Sequence, residues 1–101
     1  MGEGWDEREE RMALRMEALA ASFPSLRGAP GADPWNACAL NLWACQGVSH
    51  GERCAARFVL TVWNQHEAWE CGHFEIMEAL QVWDAGHTAA FVAWARAPWW
   101  A

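Results

Sequence analysis

The sequence predicts an all-α fold, a four- or five-helix orthogonal bundle forming a single domain over residues 1–101. Three observations predict it. Apolar residues return at intervals of three and four along most of the chain. Helix start and stop residues punctuate it at short intervals. Only the run Phe58-Val59-Leu60-Thr61-Val62-Trp63 is β-prone, and no second strand is there to pair with it. A length of 101 residues suits one domain and excludes a two-domain enzyme with a cleft between its halves.

The first helix is expected from about Trp5 to Ser22. Trp5, Met12, Met16, Leu19 and Phe23 fall at helical spacing, Asp6 to Arg11 fill the other faces, and Pro24 ends it. Residues 24–32, with Pro24, Gly28, Pro30 and Gly31, read as a loop. Asp33-Pro34 reads as the next start, with Asp33 as cap and Pro34 at the first helical position. That helix is expected to reach Gln46, stop at Gly47, and place Trp35, Cys38, Leu42 and Cys45 on its inward face. Ser49 with Glu52 three residues on matches a capping box, so the third helix should run from His50 to about Asn64. Its body is apolar on nearly every side except that of Arg53, Arg57 and Asn64, as suits a central buried helix. Residues 65–72 form a polar connection. Phe74 to Trp83 returns to helical spacing, and Asp84 either opens a fifth helix or, with Gly86, kinks a continuous one. This last stretch carries His87, Ala90, Phe91 and Trp94 on one face and ends before Pro98. Phe58, Val62 and Leu42 are expected in the core.

Composition narrows function. All seven basic residues are arginine, tyrosine is absent, and nine residues are tryptophan, a bias that fits a GC-rich bacterial genome. So many indoles in so small a domain should leave some rings at the surface or in an interface. The net charge of −6 opposes a polyanion, so nucleic acid is not expected as a partner. No apolar run approaches the roughly 20 residues that span a bilayer, and the charged stretch from Met1 to Arg15 lacks the apolar core of a secretory signal. A cytoplasmic protein with free thiols at Cys38, Cys45, Cys54 and Cys71 is the expectation.

The run Gly51-Glu52-Arg53-Cys54-Ala55-Ala56-Arg57-Phe58-Val59-Leu60, with Trp63-Asn64, Phe74-Glu75-Ile76, Leu80 and Asp84 beyond it, resembles a pattern in small uncharacterised proteins of bacterial chromosomes, plasmids and prophages. It covers about a third of the chain. The resemblance implies a bacterial origin and brings no activity with it.

Soft and borderline metal ligands cluster in the middle of the chain. Zinc could be held by Cys45, Cys54, Cys71 and His73 if the loop folds onto the second and third helices. Against this stand the missing Cys-x2-Cys knuckle and the apolar stripes that hold Cys38, Cys45 and Cys54. His50 and Cys54, one helical turn apart, and Cys71 with His73 are the pairs from which a thiol nucleophile could be drawn. Nothing supplies an oxyanion hole or a third orienting residue, so no enzyme is expected. Glu75 and Glu78 read as a solvated face. Arg53 and Arg57 could hold phosphate beside stacking indoles, but pairing with acidic neighbours is the simpler reading.

The expected function is therefore a small acidic protein-interaction module, a binder or inhibitor of another macromolecule from a mobile element. Trp99, Trp100, Trp5, Arg53 and Arg57 are its candidate partner-binding residues. A homodimer is the expected assembly, because the apolar content exceeds what short helices enclose. No cofactor is expected; zinc belongs to the alternative reading, a zinc- or thiol-dependent site in the Cys45–His73 region.

Overall fold

The computed structural model describes the backbone of residues 3–101 and the side chains of residues 7–101. Trp5, a candidate binding residue, therefore lies outside the described side chains. Helix α1 runs Glu3–Ala21 and places Met16, Leu19 and Ala20 in the core, with Phe23 just beyond its end. Its charged residues from Glu7 to Arg11 all face solvent. The chain leaves α1 through Ser22, whose hydroxyl donates to Leu19 O at 2.6 Å. The predicted loop contains a short 3-10 turn, Pro24–Leu26, which carries Leu26 into the core.

Helix α2 departs from expectation in both start and facing. It runs Ala37–Ala44 and its cap is Asn36, whose side-chain oxygen accepts the N–H of Ala39 at 3.0 Å. Asp33 and Pro34, joined by a cis bond, instead lie in a turn closed by the Ala32–Trp35 bridge. Gly31 permits that turn: its φ is +85°, and a Cβ there would lie 2.4 Å from Asn36 O and Leu40 N. The inward face is Leu40, Asn41 and Ala44. Cys38, Leu42 and Cys45 point outward, Leu42 being 57% exposed. The reason is polar: Asn41 is buried because its amide serves the loop ahead of the fourth helix, accepting Cys71 N–H and donating to Glu70.

Helix α3, His50–Trp63, is the axis of the molecule, with α1, α2, the 3-10 turn and the fourth helix packed on it. The Ser49–Glu52 capping box forms in both directions, and the β-prone run is helical. Cys54, Ala55, Ala56, Phe58, Val59, Leu60 and Val62 are buried. The buried residues at 54–56 are small, and larger buried side chains follow at 58–60 and 62.

Helix α4, Ile76–Val82, is shorter than the periodic stretch predicted it. Glu75 caps it, accepting Met77 N–H at 3.1 Å. Phe74 and Trp83 flank it in non-helical backbone and stack at 5.8 Å. Trp83 also donates its indole N–H to Gly51 O at 3.1 Å, tying this end to the start of α3. Helix α5, Ala85–Arg96, is a separate helix capped by Asp84 and not the continuation of a kinked α4. Phe91 and Trp94 meet Phe58 edge-on at 5.3 and 5.0 Å, and Phe23 and Phe74 reach the same ring. Edge-to-face pairs add to the area each ring buries, so Phe58 gathers α5 and the segment before α4 around α3.

The Cα radius of gyration is 13.2 Å, close to the roughly 13 Å of a compact 100-residue domain. No helix among the described residues is long and apolar enough to cross a membrane.

Candidate functional site

A surface concavity of about 540 Å³ opens between α1, the start of α2 and the end of α3. Trp35 and Trp63 form one wall, their rings tilted against each other at 5.5 Å. Glu9 and Glu10 of α1 line it as well. A second cleft of about 340 Å³ continues past Glu9 and Trp63 to Met12, Arg8, Asn64 and Ala101. Trp35 is placed from α1, because Glu17 Oε2 accepts its backbone N–H at 2.8 Å. Its indole N–H is the only buried side-chain donor among the described residues without an acceptor. Such an orphan costs about 1–3 kcal/mol.

Sequence reasoning did not assemble this groove. Trp35 and Trp63 lie 28 positions apart (63 minus 35), and Glu9 and Glu10 read as ordinary solvated charges. The surplus of tryptophan was the available signal.

The C-terminal segment folds back on the body. Trp94 donates its indole N–H to Trp99 O at 3.0 Å, and Ala101 N–H reaches Val62 O at 3.0 Å. The Arg15 guanidinium lies 4.0 Å from the Trp99 ring centroid, a cation–π contact. Trp99 is half-buried in consequence, whereas Trp100, edge-on to Trp94, stays 50% exposed. Of this tryptophan pair, one closes the core and the other remains available.

Arg53 and Arg57 are both engaged within the chain. Arg53 donates to Ala44 O and Gln46 O, satisfying carbonyls at the end of α2. Arg57 donates through Nε to Cys71 O at 2.7 Å and through Nη1 to Glu78 Oε2 at 3.3 Å. Gly72, with φ +107°, gives the guanidinium room, since a Cβ there would lie 2.8 Å from Nη2. The acidic neighbour expected for this arginine is thus Glu78 of α4.

The four-ligand set Cys45, Cys54, Cys71 and His73 is not brought together. Cys45 and His73 are exposed, and Cys71 is buried with a thiol pushed up by burial and then by the neighbouring Cys45. Cys38 and Cys45 lie outside the apolar stripe assigned to them, because α2 turns its other face inward. Among the described residues one group of metal-capable side chains forms: His50, Cys54 and Glu78, with ligand atoms all within 4.8 Å of one another. His50 Nε2 meets Glu78 Oε2 at 2.5 Å. The Cys54 thiol is raised, not lowered as a helix start alone would have it. Burial is the main cause and Glu78 the next, and together they outweigh Arg57 and Arg53. Glu78 itself is held below the usual carboxylate range, first by its hydrogen bond with His50 and also by the nearby Arg57. The i,i+4 spacing of His50 and Cys54 was legible; the arrival of Glu78 was not.

One further relay was missed. Asp84 Oδ1 lies 2.7 Å from His87 Nδ1, and His87 Nε2 lies 2.7 Å from Ser25 Oγ. The order is carboxylate, imidazole, hydroxyl, beside an open cavity of about 360 Å³ that Gly51 also lines. Its contacts serve architecture. Asp84 caps α5 through His87 N–H at 2.9 Å, and Ser25 N–H also donates to His87 Nε2 at 3.3 Å. The relay pins the start of α5 to the 3-10 turn. Asp84-x2-His87 at a helix start was the signal for half of it.

Comparison with protein-family profiles, curated proteins and solved structures finds no match to this chain.

Proposed function

We propose that this protein is a small interaction module that binds a basic segment of a partner protein in the groove between α1 and the Trp35–Trp63 wall. The observation that carries the reading is the pairing of carboxylates with aromatic faces. Glu9 and Glu10 line the same open groove as two packed indoles. An arginine or lysine side chain suits both linings, through charge-assisted hydrogen bonds to the carboxylates and cation–π attraction to the indoles. Tryptophan is also the residue most enriched at binding hot spots. The net charge of −6 steers a cationic segment toward the molecule and repels nucleic acid. A binder or inhibitor carried by a mobile element fits this size and chemistry.

The test is calorimetric titration of the full chain with a short arginine-rich peptide and with an acidic peptide of equal length. The arginine peptide should bind, more weakly at high salt, and the acidic one should not. Glu9→Gln with Glu10→Gln, both at exposed positions, should weaken binding about tenfold, or about 1.4 kcal/mol. Equal binding of both peptides, or a double variant that binds as tightly as wild type, would overturn the reading.

A further inference from the structure

We propose that His50, Cys54 and Glu78 form a zinc-type divalent metal site with three protein ligands and an open fourth position. The three side chains come from two elements that the core holds in register. His50 and Cys54 lie one turn apart at the start of α3, and Glu78 crosses from α4. Their donor atoms lie within 4.8 Å of one another. Tetrahedral zinc with bonds of 2.0–2.3 Å separates its ligand atoms by about 3.3–3.8 Å, so modest side-chain rotation suffices.

The donor set matches the ion in kind and in charge. Imidazole nitrogen, thiolate sulfur and carboxylate oxygen are the usual zinc ligands, and the two anions neutralise a divalent cation. The carboxylate is already oriented. Both polar contacts of Glu78, to His50 and to Arg57, use Oε2, which leaves Oε1 without a partner among the described residues. Arg57 is itself fixed by the carbonyl of Cys71. It therefore acts as an outer-sphere partner that aims the ligand, the role such groups play around bound metals. On binding, the Cys54 thiol gives its proton to solvent as the sulfur–metal bond forms. His50 binds through Nε2, so the proton that Nε2 shares with Glu78 in the metal-free protein leaves to solvent while Nδ1 carries the one ring proton, and Glu78 exchanges the imidazole for the metal. The side chains of His50 and Glu78 are partly exposed, so a fourth position on their outer side is open to water or to a small anionic ligand.

The experiment uses the reduced full chain, freed of metal, with cobalt(II) as the optical probe and zinc as competitor. Wild type should bind one cobalt ion, with a near-ultraviolet sulfur-to-cobalt band and the visible bands of tetrahedral coordination, and zinc should bleach both. His50→Gln and Glu78→Gln change partly exposed side chains. Each, checked for native helicity, should weaken binding about 100-fold, at or beyond the 10–100-fold typical of outer-sphere losses. Cys54→Ser should remove the near-ultraviolet band, and Cys45→Ser, Cys71→Ser and His73→Gln should each leave it. Absence of the band in wild type at stoichiometric cobalt would overturn the site, as would unchanged affinity in folded His50→Gln and Glu78→Gln. A band that survives Cys54→Ser and disappears with Cys45→Ser or Cys71→Ser would overturn it too.

Discussion

Asn41 Oδ1 accepts the backbone N–H of Cys71 at 3.1 Å, so a buried amide on α2 carries the loop that leads into α4. The same side chain donates to Glu70 at 3.0 Å. Asn41→Leu keeps the branched outline, though in a larger side chain, and leaves the Cys71 N–H buried and unpaired. The expected cost is about 1–3 kcal/mol, which for a domain of this size lowers the melting temperature by about 4–8 °C per kcal/mol. Thermal denaturation followed by circular dichroism checks it; a melting point equal to wild type would show that the loop is held by other means.

The two leucines of α2 separate its faces. Leu40 is fully buried and Leu42 is largely exposed. Leu40→Ala should cost about 2–5 kcal/mol, the range for emptying a core position. Leu42→Ala should stay within about 0.5 kcal/mol of wild type. Urea unfolding midpoints of the two variants decide the orientation of the helix, and the reverse ranking would invert it.

Thiol reactivity should divide by burial. Cys38 and Cys45 are exposed, whereas Cys54 and Cys71 are buried, with thiols raised by that burial. A thiol colour reagent on native, metal-free protein should therefore label two thiols quickly. The other two should react only on unfolding, since the thiolate is the reactive form. Four equally fast thiols would contradict the packing around α3.

Acid stability should bear the mark of Asp84. Its carboxyl is held below the ordinary value of 3.8 by the backbone N–H of His87 first and by the His87 ring next. A depressed folded value means that the stabilisation is fully present above the unfolded value and is lost as pH falls through the folded one. Asp84→Asn keeps a capping oxygen and removes the charge. The stability gap between wild type and this variant should hold near neutrality and close as pH drops below about 4. Melting temperatures across that range measure it, and a constant gap would assign the effect to shape and not to ionisation.

Deleting Trp99, Trp100 and Ala101 should destabilise the fold. The deletion uncovers Trp94, ends the Arg15 cation–π contact and frees Val62 O. Trp100→Ala alone, at a half-exposed ring, should change stability little, so any loss of partner binding in that variant reports recognition and not folding. A truncated chain as stable as wild type would assign the whole segment to binding.

Sequence by itself determined the elements whose signals are local. The Ser49–Glu52 box, the Asp84 start and the apolar body of α3 each act within one or two turns, so the helices they define formed where the residues placed them. Phe58 and Val62 lie in the core as their spacing required. Tertiary structure decided what local signals leave open. An eight-residue α2 with apolar residues on both sides carries two possible inward stripes, and the hydrogen bonds of Asn41 to a loop some 30 positions on select one of them. The same holds for function. His50 and Cys54 are neighbours by helical repeat, yet Glu78 joins them from 28 positions away only because α4 packs on α3. Trp35 meets Trp63, and both line one groove with Glu9 and Glu10, only after α1, α3 and the segment before α2 converge. Helical periodicity spans a few residues, whereas sites are made where distant segments meet to bury a common core.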